Sequence, residues 1–326
     1  MSAPTVDVIC MGNAIVDVLA YADETFLSEH GLTKGTMRLI DAQQAAALYA
    51  DLPPGIEASG GAAANTAVGV ASLGGEAAFI GRVGTDQLGA VFTHDIRNAG
   101  VRFETPPASG LPTAQCLVVV TPDAQRTLST FLGASQQLGP ADVDVAVIDS
   151  AAVTYLEGYL WDPPEAKEAF RAAMLAARGA DRRVAFSLSD AFCVDRFRDE
   201  FLDLLSGPVD VLFANETEAC SLFEVDSLPI ALRELRGMCD IAVVTRGADG
   251  SSVLVGGEQI DVPAAHVDSV VDTTGAGDLY AAGFLYGLTH GLDLRACAEL
   301  GGRCAAAVLG HLGPRPQTPL SALLDS

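Results

Sequence analysis

From about residue 140 the chain alternates short apolar runs with amphipathic stretches, and this alternation limits its fold more than any other feature. Residues 152–156, 183–188, 209–214 and 240–245 are apolar runs of strand length. Helical stretches at 164–179, 194–205, 216–223 and 229–238 separate them, the first opening after Pro163-Pro164. Strands joined through helices at this spacing form βαβ units, whose parallel sheet needs cover on both faces. The spacing thus predicts an α/β fold with three layers. In such sheets ligands lie beyond the carboxyl ends of the strands, so strand-to-helix junctions carry most functional weight.

The N-terminal half is less regular. Val6–Met11 reads as a buried strand ended by Gly12-Asn13, residues 35–41 and 115–121 as extended, and 41–51, 62–73 and 86–99 as helices. Two alanine- and glycine-rich helices, near 276–290 and 293–309, close the chain. With no internal repeat or low-complexity linker, the expectation is one domain over residues 1–326.

Charge narrows the chemistry. Of the 326 residues, 19 are Lys or Arg and 42 Asp or Glu, a net charge of −23 spread along the chain, which repels nucleic acid and anionic lipid. Lys34 and Lys167 are the only lysines, and neither follows a glycine, so a Walker A loop is absent. If ATP is handled, backbone amides, arginines and a metal must do it. No apolar run is long enough for a bilayer, the N-terminus does not read as a secretion signal, and the seven cysteines are scattered without a C-x-x-C pair. A cytoplasmic protein with reduced thiols is expected, as a monomer or a homodimer.

Residues 272–278 read DTTGAGD and lead into an apolar helix. Glycines before a helix let the backbone approach a ligand, and the first free N–H groups with the helix dipole form an anion site. Asp278 falls in the first helical turn, where a carboxylate can take the proton of a hydroxyl attacking a phosphoryl group. A carboxylate that merely complements the dipole reads the same way locally.

The string resembles a signature of the ribokinase/phosphofructokinase-B family of sugar and nucleoside kinases, carried here by Asp272, Thr273, Gly275, Ala276, Gly277, Asp278, Ala282, Gly283 and Phe284. Gly60, Gly61, Ala63, Asn65, Ala67, Gly74 and Gly84 resemble its second signature. The resemblance covers essentially the whole chain. It implies a ribokinase-like α/β/α sandwich with a mostly parallel central sheet and a small β-rich lid, expected from about 14–45 and 97–123. It also implies ATP and Mg²⁺ as cofactors, with a potassium-like ion (K+) near the DTTGAGD loop.

Residue roles follow from the same resemblance. Asp278 would be the base, with the amides of Gly275, Ala276 and Gly277 and the guanidinium of Arg126 stabilising phosphoryl charge. Asn13, Asp17, Gly61 and Asn65 would hold the acceptor's hydroxyls. Asn215, Thr245, Arg246, Gly247, Gly250 and Thr274 would form the nucleotide side, and Glu218 of the Asn-x-x-Glu motif would act on the metal through water. Each has a plainer reading as well: turn residue or helix cap for Asp17 and Asn65, a capping box for Asn215 and Glu218, a turn between strands for 245–250, a solvated surface group for Arg126.

The segments GNAIVDV, QRTLSTFLGAS and SLSDAFCVDRF resemble adenosine kinases within the family. Ile15 and Tyr159 would then sandwich a purine, which makes the expected reaction phosphorylation of the 5′-hydroxyl of adenosine. The Gly-Gly-Ala-Ala-Ala-Asn string is more like sugar kinases, and a kinase of ribose, fructose or a keto-deoxy sugar acid stays open. Tyr159 also reads as ordinary core.

Overall fold

The computed structural model describes residues 3–123 and 125–324. Its strands are β1 (Val6–Met11), β2 (Ile15–Tyr21), β3 (Met37–Leu39), β4 (Ile56–Gly60), β5 (Ala77–Ile80), β6 (Arg102–Phe103), β7 (Ala114–Val120), β8 (Arg126–Phe131), β9 (Ala151–Glu157), β10 (Arg183–Ser187), β11 (Val211–Asn215), β12 (Ile241–Thr245), β13 (Ser251–Val255) and β14 (Glu258–Val262). The helices are α1 (Glu24–Glu29), α2 (Ala42–Asp51), α3 (Ala62–Ser72), α4 (Gln87–Asn98), α5 (Val145–Ser150), α6 (Pro164–Gly179), α7 (Ala191–Leu205), α8 (Glu216–Leu222), α9 (Leu228–Leu235), α10 (Ala276–Thr289) and α11 (Leu294–Leu309).

Nine strands form one sheet in the order β14-β13-β12-β11-β10-β9-β1-β5-β6, parallel from β6 to β12, with an antiparallel hairpin at the far edge. Its central strands are apolar on both faces because both are covered. Val8, Cys10, Val153, Tyr155, Val211, Phe213 and Val243 face one core with α3, α4, α10 and α11. Ile9, Met11, Leu156, Leu212, Ala214, Ala242 and Val244 face another with α5 to α9. In the second core Trp161 packs against Phe170, Phe186 and Phe201, all fully buried. Burial of each such side chain contributes roughly 1.5–3 kcal/mol. The three-layer α/β architecture expected from the alternation is present.

A second sheet of five strands, ordered β3-β8-β7-β2-β4, lies beside the first. One face, with Val16, Val18, Leu117 and Val119, joins the first core; the other carries Ile15, Leu19, Cys116, Val118 and Leu128 as a separate small cluster. Its composition corrects the expected segments 14–45 and 97–123. Residues 102–103 pair with β5 in the large sheet, while β4 and β8, outside those segments, complete the small one. The reason is local: β8 pairs antiparallel back on β7, and β4 lies antiparallel to β2. Among the described residues, no helix is long and apolar enough to cross a membrane.

Candidate active site

A cleft of about 490 Å³ opens at the carboxyl ends of β9 to β12, between the large sheet and the small one. Its wall brings together Ile15, Asp17, Gly61, Asn65, Tyr159, Asn215, Glu218, Thr245, Thr274, Gly275, Gly277 and Asp278, all singled out in the sequence. They come from six separate stretches of chain, joined only by the fold.

The 272–278 loop is built by a chain of bonds. Asp272 Oδ1 accepts from the amide and hydroxyl of Thr274 at 3.0 and 2.8 Å, and Oδ2 accepts from the Gly313 amide at 2.8 Å. Gly275 caps α10 at φ +80°, and a Cβ there would stand 2.5 Å from the Pro314 side chain, so only glycine fits. Gly275 and Gly277 line the cleft, but the Ala276 amide donates to the Thr273 carbonyl at 3.2 Å, and Ala276 is not part of the wall. Arg126 reaches across from β8: Nη1 donates to Thr274 Oγ1 at 2.5 Å and Nη2 pairs with Asp272. Its guanidinium thus sits at the anion loop, bound to the loop rather than solvated.

Asp278 lies in the first turn of α10, with Oδ2 accepting from Asn65 Nδ2 at 2.8 Å. The Asp278 carbonyl also accepts from Thr66 Oγ1 at 3.2 Å, so α3 holds both ends of the residue. Burial pushes the Asp278 carboxyl up to about 6, against the Asn65 hydrogen bond and the Arg315 charge, which lower it. Asp17 is likewise raised by burial to about 6, with Arg315 and Arg126 acting against it. Asn65 Oδ1 is a buried acceptor without a partner among the described residues.

The Gly60-Gly61 turn explains how β4 enters α3 so closely. A Cβ on Gly60 would stand 2.4 Å from Asp17 Oδ2, and one on Gly61, at φ +97°, would stand 2.1 Å from the Asn13 carbonyl oxygen. Asn13 itself does not face the cleft. It is buried, its amide and Nδ2 donating to Glu157 Oε1 at 2.7 and 2.8 Å, while its Oδ1 accepts from Ser135. Glu157 Oε2 accepts from the Ala63 amide at 2.7 Å, so one buried carboxylate ties β1, β9 and α3. Burial raises Glu157 to about 7.

At the other end, Asn215 and Glu218 form a reciprocal cap on α8. Asn215 Oδ1 accepts from the Glu218 amide at 2.9 Å, and Glu218 accepts from the Asn215 amide at 3.0 Å and from Nδ2 at 2.5 Å. Burial raises Glu218 to about 7, and Asp190 and Asp278 add to that. Thr245 lines the cleft, but Arg246, Gly247 and Gly250 form the turn into β13 outside its wall. There the Arg246 amide donates to the Gly250 carbonyl at 2.7 Å, and its guanidinium to the Asp249 carbonyl at 2.9 Å.

The sequence reading missed several wall residues. Tyr155, Ser187, Ser189 and Phe213 stand at strand ends on the same side as the motifs. Ser189, at φ +74°, is a non-glycine residue in the left-handed region, and its Oγ accepts from the Tyr159 amide at 3.2 Å. The carboxyl-end rule for parallel sheets was the available signal for these positions.

The comparisons with known proteins agree with this geometry. Residues 56–320 match the pfkB family carbohydrate kinases. Adenosine kinase of Saccharomyces cerevisiae is 28% identical, covering 96% of this chain and 97% of its own. Among solved structures, adenosine kinase from Sinorhizobium meliloti is 51% identical with a TM-score of 0.91, covering 98% of both chains. A probable sugar kinase from Rhizobium etli CFN 42 is 49% identical with a TM-score of 0.92, covering 99% of this chain and 98% of its own. The chain belongs to the pfkB family of carbohydrate kinases, and within that family its relatives place it nearest the adenosine kinases. It is an ATP-using phosphotransferase with an alcohol group as acceptor.

Proposed function

We propose that the chain phosphorylates the 5′-hydroxyl of a nucleoside, adenosine, with Asp278 as general base. The observation that carries this reading is the lining of the cleft, in which Ile15, Tyr155, Tyr159 and Phe213 stand together with Asp278. Aromatic rings beside the acceptor carboxylates suit a base, and stacking on one aromatic ring contributes roughly 1–3 kcal/mol. Likeness to adenosine kinases over the full chain supports the same acceptor.

In this reading Asp17 and the unpartnered Asn65 Oδ1 accept from the ribose hydroxyls. The 5′-oxygen attacks the γ-phosphorus of ATP while the bond to the β–γ bridging oxygen breaks, and the hydroxyl proton passes to Asp278. The Gly275 and Gly277 end of α10 faces the charge building on the phosphoryl oxygens. Arg126, already paired with Asp272, acts by holding Thr274 in place more than as a free phosphate clamp.

Mg²⁺ would neutralise phosphate charge, borrowing most of its oxygens from ATP and water. The donor set suits that supporting role: Glu218 lines the cleft, yet both its oxygens are held by Asn215, and no cluster of three or more metal-ligating side chains occurs among the described residues. Thr274, Gly313 and Arg126 engage both oxygens of Asp272, so a potassium ion near the DTTGAGD loop would draw on other oxygens of that loop.

The sugar-kinase reading keeps one specific support, the likeness to the probable sugar kinase from Rhizobium etli CFN 42. ADP release from Mg-ATP, measured against a panel of nucleosides and sugars with and without potassium, separates the two. Turnover with adenosine well above every sugar is expected; turnover with a sugar alone would discard the purine wall and keep the anion loop.

A further inference from the structure

The C-terminal segment after α11 sends one residue back under the acceptor end of the cleft. Arg315 Nε donates to the Ser59 carbonyl at 3.1 Å, Nη2 to Ser59 Oγ at 3.1 Å and Nη1 to the Ala64 carbonyl at 3.3 Å. All of these acceptors are neutral oxygens, and they bracket the Gly60-Gly61 turn from the end of β4 to the first turn of α3. Gly60 lies directly against Asp17, and Asn65, next to Ala64, donates to Asp278. One guanidinium therefore fixes the turn on which both carboxylates of the acceptor end depend.

We infer that Arg315 is a positioning residue for the phosphoryl transfer: it clamps the Ser59–Ala64 turn and so sets Asn65 against Asp278 and Gly60 against Asp17. This rests on the reading of Asp278 as the base.

The electrostatics agree with the geometry. Arg315 lowers the pKa of both Asp17 and Asp278 against the larger effect of burial. Burial brings its own pKa down to about 10, with Asp17, Asp95 and Asp278 raising it, so it stays charged near neutral pH. The other titratable groups that feel Asp278 are Cys10 on β1, Asp17 on β2, Tyr155 and Glu157 on β9, Tyr159 just beyond it, and Glu218 on α8. None of them is a cation. Lysine would keep the charge but not the planar fork that spans two segments.

The test compares Arg315→Met and Arg315→Lys with the unaltered enzyme, measuring kcat and KM for adenosine and for ATP and the pH profile of kcat/KM. Arg315→Met is expected to raise the adenosine KM about 10-fold or more, leave the ATP KM within about twofold, and move the acidic limb upward by about one pH unit. Arg315→Lys is expected to return the limb to its place while leaving the adenosine KM raised. An unchanged adenosine KM and limb in folded Arg315→Met, or equal losses for adenosine and ATP, would overturn the proposal. If the methionine variant does not fold, the lysine variant decides: an adenosine KM within twofold of the parent's overturns the clamp. Asp278→Asn measured alongside keeps the two readings apart. Retained turnover there removes Asp278 as the base, while the effect of Arg315 on the adenosine KM, exerted at the Asp17 side, is read independently.

Discussion

The two ends of the cleft hold carboxylates in opposite ways. At the end proposed for the acceptor, Asp278 commits one oxygen to Asn65, and the Asp17 carboxylate has no hydrogen bond among the described residues. At the nucleotide end, Glu218 gives both oxygens to Asn215, and behind the wall Glu157 gives both to Asn13 and Ala63. Burial raises the pKa of all four, so a perturbed pKa alone does not separate working carboxylates from structural ones. The separation lies in where the lone pairs go. An oxygen left open toward a cleft can take a ligand proton; one already accepting backbone N–H groups holds the fold.

Asp278→Asn puts the largest strain on this contrast. It keeps the shape and the contact with Asn65 but cannot take a proton, so turnover should fall about 10²–10⁴-fold with acceptor binding nearly intact. Single-turnover kinetics beside calorimetry with adenosine checks both halves. Turnover above about 1% of the parent's would place the proton elsewhere, since general bases contribute at least that much.

The pH dependence sharpens the same point. The base proposed here must be ionised to act, and burial pushes the Asp278 carboxyl up to about 6, above the ordinary aspartate range. The rate of kcat/KM should therefore be flat near neutral pH and fall about tenfold per unit below pH 6. A limb at ordinary aspartate values would show that burial does not govern this group in solution.

Tyr159→Ala comes next in size. Loss of a stacking ring costs roughly 1–3 kcal/mol, about 5- to 150-fold in adenosine KM, with little change for a bare sugar acceptor. Equal losses for adenosine and ribose would make Tyr159 part of the wall's packing and not a base platform.

The sequence made the large sheet legible because its strands are buried on both faces and appear as unbroken apolar runs, as in 183–188 and 209–214. The small sheet was harder. β8, Arg-Thr-Leu-Ser-Thr-Phe, alternates polar and apolar residues without a continuous run, and β4 ends in Ala-Ser-Gly. Asp278, Asn65 and the anion loop were readable since their chemistry is written in consecutive residues. Arg315 was not: its partners lie about 250 positions away, and a lone arginine among prolines carries no local sign of a buried role. Glu157 stayed hidden in the same way, a charged residue closing an apolar strand, its purpose visible only once β1 and α3 are beside it.

Glu157→Gln and Glu218→Gln test the structural side of the contrast, with the smallest expected effects on chemistry. In Glu157→Gln an NH2 group must face N–H donors of Asn13 or Ala63, leaving a buried donor unpaired, which costs about 1–3 kcal/mol of stability. Glu218→Gln keeps the Asn215 cap on the residue-218 amide and an N3 amide oxygen for the Asn215 N–H, as Gln44 provides in α2, so its cost should fall below the roughly 1 kcal/mol of a lost cap. Urea unfolding ranks the two, while kcat per folded molecule should change less than for Asp278→Asn in both. A further check comes from linkage. Because Glu157 titrates at about 7 when folded, its contribution to stability is present below the ordinary glutamate pKa and is lost as pH rises through 7. Stability of the parent should thus decline between pH 5 and pH 8 more steeply than that of Glu157→Gln. Parallel curves would mean that its three N–H donors hold Glu157 ionised throughout, and the raised pKa would then belong to Asp17 and Asp278, the carboxylates with oxygens left open.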